Sequence, residues 1–254
     1  MWKKIAIAVV VIAVVAGVGL FILDRTLFAP AAVSTAVPVA PTIAAPTKAP
    51  VQATQPPAAT QAAAQPTAVA PAASGAAVVY RIDPAQSEAR YEVGETFFQG
   101  NRFNLAVGRT QGIAGEVLVD FANPANSQIG PIVINVNQLT SDEGRRDNYI
   151  RNNALQSSQY PEATFKPTKI EGLPASAKPG DQLTLKVTGD LMVKQTTKPV
   201  TFDVTLQANQ DKLTGTASAE IVLSDFDAGP IQLAMLQTED KAKLVFEFVA
   251  LPAQ

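Results

Sequence analysis

The sequence predicts an all-β domain that follows an apolar segment and a Pro-rich linker. Residues 5–23 form an unbroken apolar run, and residues 29–77 are rich in Ala, Pro and Thr. The remainder of the chain alternates apolar and polar residues with a period of two, the pattern of half-buried antiparallel strands. We therefore divide the chain into residues 1–28, 29–77 and 78–254.

The first segment is predicted to be a single transmembrane anchor. As a helix, residues 5–23 would span about 29 Å, close to the bilayer hydrocarbon thickness of about 30 Å. Lys3 and Lys4 precede the run, and positive charge is retained on the cytoplasmic side. The rest of the chain is therefore expected outside the cytoplasmic membrane, in the periplasm or at the cell surface. The alternative is a cleaved signal peptide, whose apolar core is usually about 7–15 residues long.

Residues 29–77 are predicted to be a disordered tether. They contain no aromatic residue, prolines recur throughout, and Lys48 is their only charged residue. Such a composition cannot build an apolar core, and proline favours extended conformations. The segment would therefore link the anchor flexibly to the folded domain.

The third region is predicted to fold as an antiparallel sandwich or a closed barrel. The candidate strands are Val78–Ile82, 88–93, 114–121, 129–137, 163–170, Gln182–Val193, 200–206, Leu213–Val222 and 244–250. Eight or nine strands with one or two short helices are typical of both architectures. Closure is favoured because a barrel leaves no exposed strand edge.

Composition excludes several classes of function. The chain has no Cys and no His, so it lacks a thiolate nucleophile, an imidazole base and Cys/His metal ligands. Its net charge of −2 provides no field that attracts nucleic acid. The carboxylates of Asp142, Glu143 and Asp147 are the nearest approach to an acid–base cluster, and no further motif supports glycoside chemistry. No enzyme activity, metal or cofactor is predicted.

A charged segment, residues 141–151, interrupts the strand pattern and is predicted to be a short helix. Thr140 or Ser141 would cap its N-terminus, and acidic residues occupy its first turn, as the helix dipole favours. Two interpretations remain open. The segment is either a solvated helix with weak local ion pairs, or a helix across one end of a barrel, held there by an Arg146–Asp147 pair.

Five motifs occur in the order and spacing of a known family. They are YRIDPAQS (residues 80–87), INVNQLTSDEGRRDNYIR (134–151), YPEATF (160–165), GDLMVKQTTKPV (189–200) and SDF (224–226). Residues 78–252 thereby resemble the YceI-like, polyisoprenoid-binding family. The resemblance implies an eight-stranded antiparallel lipocalin-like barrel that holds an isoprenoid lipid or quinone. It marks as structural motif residues Arg146, Asp147, Tyr160, Pro161, Lys198 and Pro199. The sequence departs from the family pattern at Tyr149 and Leu223, where many members have His and Arg.

The candidate ligand-binding residues are apolar and aromatic residues at alternate strand positions: Tyr91, Val93, Phe165, Phe202, Val204, Phe246 and Phe248. Periodicity identifies the faces of a strand without saying which face looks inward. An eight-stranded barrel has room either for packed side chains or for one slender ligand. The alternative to lipid binding is therefore a stalked structural or interaction module with a filled barrel and a protein partner.

Overall fold

The computed structural model describes residues 29–30, 33–43 and 77–253. In this part of the chain, twelve strands form one sheet. They are β1 (Val78–Ile82), β2 (Glu88–Phe97), β3 (Arg102–Thr110), β4 (Ile113–Ala114), β5 (Glu116–Val119), β6 (Gln128–Ile129), β7 (Ile132–Asn135), β8 (Glu162–Glu171), β9 (Gln182–Val193), β10 (Thr196–Ala208), β11 (Leu213–Val222) and β12 (Leu236–Pro252).

The sheet is antiparallel and curls back on itself. Its strand order is β4-β7-β8-β9-β10-β11-β12-β1-β5-β6, with β2 and β3 added beside β12. The two ends of this path lie close together, because only Gly115 separates β4 from β5 along the chain and only residues 130–131 separate β6 from β7. The all-β antiparallel architecture predicted from the sequence is therefore confirmed. Twelve strands are described instead of the nine candidates because β3 was not predicted and the candidates 114–121 and 129–137 are each divided, into β4 and β5 and into β6 and β7.

Strand β3 is the one long strand that the pattern did not predict. Its exposed face carries Phe103 and Leu105, whereas its buried face carries the small residues Ala106 and Gly108. Apolar bulk therefore points outward and small side chains point inward, which is the reverse of the usual distribution. Sequence alternation alone could not identify such a strand.

The charged segment forms helix α1 (Gly144–Tyr149), which continues as one turn of π-helix (Ile150–Ala154). The prediction of its cap was wrong: Glu143 is the N-cap, and its carboxylate accepts a hydrogen bond from the Arg145 amide at 3.0 Å. Because the helix begins only at Gly144, Thr140 and Ser141 lie ahead of the cap position, and the backbone of Thr140 pairs with Arg109 of β3.

The predicted anchor and most of the predicted linker, residues 1–28 and 44–76, lie outside the described residues. Nowhere in residues 29–30, 33–43 and 77–253 is there a helix long and apolar enough to cross a membrane. The described part of the linker has no helix or strand of its own, and it contacts the domain. For example, the amide of Ile43 donates to Glu116 Oε2 at 2.8 Å.

A packed core fills one end of the barrel. Tyr80, Ile113, Leu213 and Ala250 are there, each at most 1% exposed. The Tyr80 hydroxyl donates to the carbonyl of Asn209, in the β10–β11 turn, at 2.8 Å. This is the end at which β12 finishes, opposite the end that carries α1. The core therefore forms a closed base.

Candidate functional site: an apolar cavity beneath a helical lid

Above the base, the curled sheet encloses a cavity of about 1030 Å³. Its lining is mainly aliphatic and aromatic and comes from strands all around the sheet and from the helical segment. All seven residues predicted as ligand-binding line it: Tyr91, Val93, Phe165, Phe202, Val204, Phe246 and Phe248. The structure thus settles which strand face looks inward, while binding by these residues stays a prediction.

Four phenylalanine rings form two pairs in the cavity wall. The ring centroids of Phe165 and Phe202 lie 4.9 Å apart with planes at 69°, and those of Phe246 and Phe248 lie 5.3 Å apart. Such pairs stabilise a fold by about 0.5–1.5 kcal/mol beyond the contribution of the apolar area that they bury. The rings are only partly buried because they face the cavity instead of a filled core. The wall is therefore apolar and leaves space for a guest.

Two glycines make room for aromatic rings at the wall. A Cβ at Gly108 would lie 2.2 Å from Cε1 of Tyr91, so the Tyr91 ring fits only because β3 has no side chain there. A Cβ at Gly189 would similarly lie 2.7 Å from Cζ of Phe165. These close approaches explain why glycine stands in the middle of two strands, where it otherwise costs stability.

Helix α1 and the π-turn cover the end of the cavity opposite the base. The apolar side chains of Ile150, Ala154 and Leu155 line the cavity. We call residues 142–155 the lid. Two of its charged residues, Asp147 and Arg151, are buried, at 8% and 6% exposure. The interpretation of a helix across a barrel end therefore holds, and that of a solvated helix does not.

A buried ion pair fixes the lid to β2. Arg146 Nε lies 3.0 Å from Glu95 Oε1, and Arg146 Nη2 lies 3.0 Å from Glu95 Oε2, a bidentate contact. The two side chains are 12% and 5% exposed. Burial alone would lower the pKa of Arg146, but the hydrogen bonds to Glu95 and Asp142 outweigh it and raise the pKa. Such charge-assisted, bidentate pairs are strong and directional.

The predicted pairing of Arg146 with Asp147 was wrong. Asp147 Oδ1 instead accepts hydrogen bonds from the Ser141 amide at 2.9 Å and from the Ser141 hydroxyl at 2.6 Å. Adjacent residues on a helix point in different directions, which is why the two side chains do not meet. Glu95 was missed. Its signal is a carboxylate at the inward position of β2 that follows Tyr91 and Val93, where an apolar residue is expected.

Arg151 secures the other end of the lid. Its Nη1 donates to the carbonyl of Leu139 at 2.7 Å, and its Nη2 donates to Asn148 Oδ1 at 3.1 Å. A buried guanidinium requires such partners because an uncompensated charge is costly away from water. The lid is therefore held both to β2 and to the turn that precedes it.

Tyr91 places a phenol among the charges below the lid. Burial raises the pKa of Tyr91, and the negative charge of nearby Asp147 raises it further. The hydroxyl consequently stays protonated and able to donate a hydrogen bond near neutral pH. It is one polar group of the wall that can donate to an acceptor oxygen on a guest.

The remaining motif residues lie outside the cavity lining. The Tyr160 hydroxyl accepts a hydrogen bond from Gln195 Nε2, and the carbonyl of Pro161 accepts one from the Val136 amide at 2.9 Å. Lys198 and Pro199 are exposed residues of β10. A structural role for these residues stays a prediction. By contrast, Tyr149 and Leu223, where the sequence departs from the family pattern, both line the cavity.

These features define a curled antiparallel β-barrel with a closed base, an apolar cavity and a helical lid. The model of the YceI-like domain matches residues 80–250, and the chain therefore belongs to the YceI-like family. The protein YceI of Escherichia coli O157:H7 is 29% identical over 168 residues, which are 62% of this chain and 82% of that protein. The protein YceI of Salmonella newport is 28% identical over the same shares.

The chain is also similar to solved structures at lower identity. A polyisoprenoid binding domain from Saccharophagus degradans, implicated in plant cell wall breakdown, has a TM-score of 0.52 at 12% identity, and the match covers 69% of this chain and 99% of that one. BcnA of Burkholderia cenocepacia has a TM-score of 0.49 at 22% identity, with 66% and 98% covered. At 12% identity the likeness to the Saccharophagus degradans domain concerns the fold alone.

Proposed function

We propose that this protein binds a long isoprenoid-type lipid or quinone in its cavity, outside the cytoplasmic membrane. The observation that carries the proposal is the apolar cavity of about 1030 Å³ above a closed base. Small-molecule sites usually occupy about 300–1000 Å³ and are mainly apolar with few polar groups. The polyisoprenoid-binding domain with the same fold supports this class of ligand.

Apolar contact is sufficient for tight binding in such a cavity. At about 0.3 kcal/mol per heavy atom, a 40-carbon chain would gain roughly 12 kcal/mol. The ring pairs of the wall supply flat apolar surfaces, and Tyr91 supplies one donor. No catalytic step is proposed, because binding needs none of the nucleophiles and bases that the sequence lacks.

The cavity also favours this proposal over a stalked interaction module. A filled barrel would bury Phe202 and Phe246 in a packed core, whereas both rings keep exposed area and line the cavity. The proposed location rests on the sequence of residues 1–28, in which Lys3 and Lys4 precede an apolar run long enough to span a bilayer.

Lipid analysis of the full-length protein tests the proposed function. The protein is purified from membranes in mild detergent, extracted with organic solvent and analysed by mass spectrometry, and the delipidated protein is offered ubiquinone-8 and a polyprenol. We expect one isoprenoid chain per protein molecule by native mass spectrometry. A protein that carries no lipid and takes up neither probe would contradict the proposal.

A further inference from the structure

Residues 33–43, which we call the strap, dock in a polar groove on the outside of the barrel. Its amide and carbonyl groups bond to side chains of the domain: Ser34 N to Asn137 Oδ1 at 2.5 Å, Ala36 O to Asn135 Nδ2 at 3.0 Å, and Ile43 N to Glu116 Oε2 at 2.8 Å. The strap therefore contacts the groove mainly through its backbone.

The side chains of the groove are built for this contact. Asn135 accepts from the Asn137 amide with its Oδ1 and donates to the strap with its Nδ2. Asn137 donates to Ser157 with its Nδ2 and accepts from the strap with its Oδ1. Each side chain thus uses one end on the barrel and the other on the strap, and both are only 3% exposed. Buried polar groups require such complete pairing.

The strap runs in a fixed direction relative to the lid. Ahead of it, the carbonyl of Ala29 accepts a hydrogen bond from Asn152 Nδ2, in the π-turn of the lid, at 2.8 Å. At the other end, Ile43 lies beside Gly130, where an added Cβ would be 3.1 Å from Cγ1 of Ile43. The chain therefore meets the lid first and then descends along the barrel.

This direction limits the distance between the lid and the predicted anchor. The apolar run ends at residue 23, and the six Cα–Cα steps to residue 29 reach at most about 20 Å. Without the docked strap, the whole of residues 29–77 would be available as tether. With it, the lid end of the barrel stays within about 20 Å of the end of the span.

An apolar rim stands at that same end. Phe98, Phe103, Leu105 and Met235 are 52%, 61%, 51% and 57% exposed. The Phe98 amide donates to the carbonyl of Met235 at 3.0 Å, so the β2–β3 hairpin and the chain before β12 lie together. Phe103 and Met235 also line the cavity, and the apolar surface is therefore continuous from the cavity to the outside. Clustered exposed apolar side chains mark interaction or membrane sites.

We propose that the strap holds the lid end of the barrel against the membrane, so that the rim contacts the lipid surface and the cavity opens toward it. The inference rests on the proposed anchor and deepens the proposed lipid binding by giving the guest a direct route from the bilayer. The contact is apolar, and its strength follows the rim area that enters the interface.

The absence of cysteine from the native chain makes the orientation measurable with single labels. Full-length Gln99→Cys carries an NBD fluorophore beside the rim, and Gln210→Cys carries it in the β10–β11 turn at the base. Both are reconstituted in vesicles of phosphatidylcholine and phosphatidylglycerol that contain a nitroxide-labelled lipid. We expect strong quenching and a blue shift at position 99 and neither at position 210. Equal quenching at both positions would overturn the proposal.

The strap itself is tested without changing the barrel. In the Gln99→Cys background, Ser34→Pro with Ile43→Pro removes the two strap amides that bond to the groove, and Val39→Pro, at a site 84% exposed, is the matched control. We expect the double variant to lose the quenching and the control to keep it. Quenching that persists in the double variant would show that the strap does not orient the barrel.

Lipid content separates this proposal from the proposed function. It is measured by mass spectrometry on the same preparations of wild type and double variant. Wild-type quenching without bound isoprenoid would leave the orientation standing and contradict the lipid-binding function. Bound isoprenoid without quenching at position 99 would support the lipid-binding function and contradict the proposed orientation.

Discussion

At the scale of single residues, the lid depends on charges that the sequence places far apart. Arg146 pairs with Glu95 on β2, whereas the neighbouring Asp147 accepts a hydrogen bond from Ser141. Removing one member of a buried pair leaves an uncompensated charge, which costs more than the pair itself contributes. The two acidic partners of Arg146 therefore differ in their contribution to stability, because Glu95 is 5% exposed and Asp142 is 81% exposed.

The first prediction compares these partners. Glu95→Ala should lower the free energy of unfolding by about 3 kcal/mol, because it strands the Arg146 guanidinium beneath the lid. Asp142→Ala, the matched control, should cost well under about 1 kcal/mol because its carboxylate is exposed. Urea unfolding followed by circular dichroism measures both. Coincident midpoints for Glu95→Ala and wild type would mean that the lid does not depend on this pair.

The second prediction concerns Tyr91 as a donor to the guest. Tyr91→Phe should weaken binding of ubiquinone-8 about fivefold, the value of one net hydrogen bond, and leave squalene, which has no acceptor, unaffected. Because burial raises the pKa of the phenol, wild-type affinity for the quinone should stay constant between about pH 6 and 9. Native mass spectrometry titrations measure both ligands. A parallel loss for squalene would assign Tyr91 a role in packing only.

At the scale of elements, prediction succeeded where local pattern decides the structure. Gln182–Val193 and Leu213–Val222 were placed at their observed bounds, and the 200–206 pattern grouped Phe202, Val204 and Leu206, which share the cavity-facing side of β10. It failed where distant contacts decide. β3 carries its bulk outward at the rim, and the lid pairs with a strand that is distant in sequence, as with Arg146 and Glu95, 51 positions apart.

The third prediction uses the two faces of β10. Phe202→Asp should abolish lipid retention while the barrel stays folded, because a roomy cavity admits water around the new charge. Thr205→Asp, on the exposed face of the same strand, should retain lipid. Copurified lipid and the circular dichroism spectrum are read together. If Phe202→Asp unfolds the barrel, the inward face of β10 is packed core; if it retains lipid, the guest lies elsewhere.

At the scale of the whole molecule, the barrel has two unlike ends. Tyr80 and Leu213 close the base, and the polar residues 209–212 lie on its outer surface. The opposite end carries the lid and the apolar rim. Sequence motifs identified the fold because each strand and the lid segment is a short continuous stretch of the sequence. They could not reveal the cavity, since its volume depends on how rings from many strands, such as Phe165 and Phe202, meet across the barrel.

The last prediction tests where this molecule lies. Elastase added to spheroplasts should cut within residues 44–76, whose Ala-rich sequence suits the enzyme and cannot build a core. It should leave the barrel, residues 78–253, intact, because hydrogen-bonded strands resist proteolysis. An N-terminal epitope tag should stay protected until the membrane is broken, since Lys3 and Lys4 are expected on the cytoplasmic side. A cytoplasmic marker protein serves as the control for lysis. If the chain remains uncut in sealed spheroplasts and is cut only after they are lysed, the barrel lies in the cytoplasm and the proposed orientation is wrong.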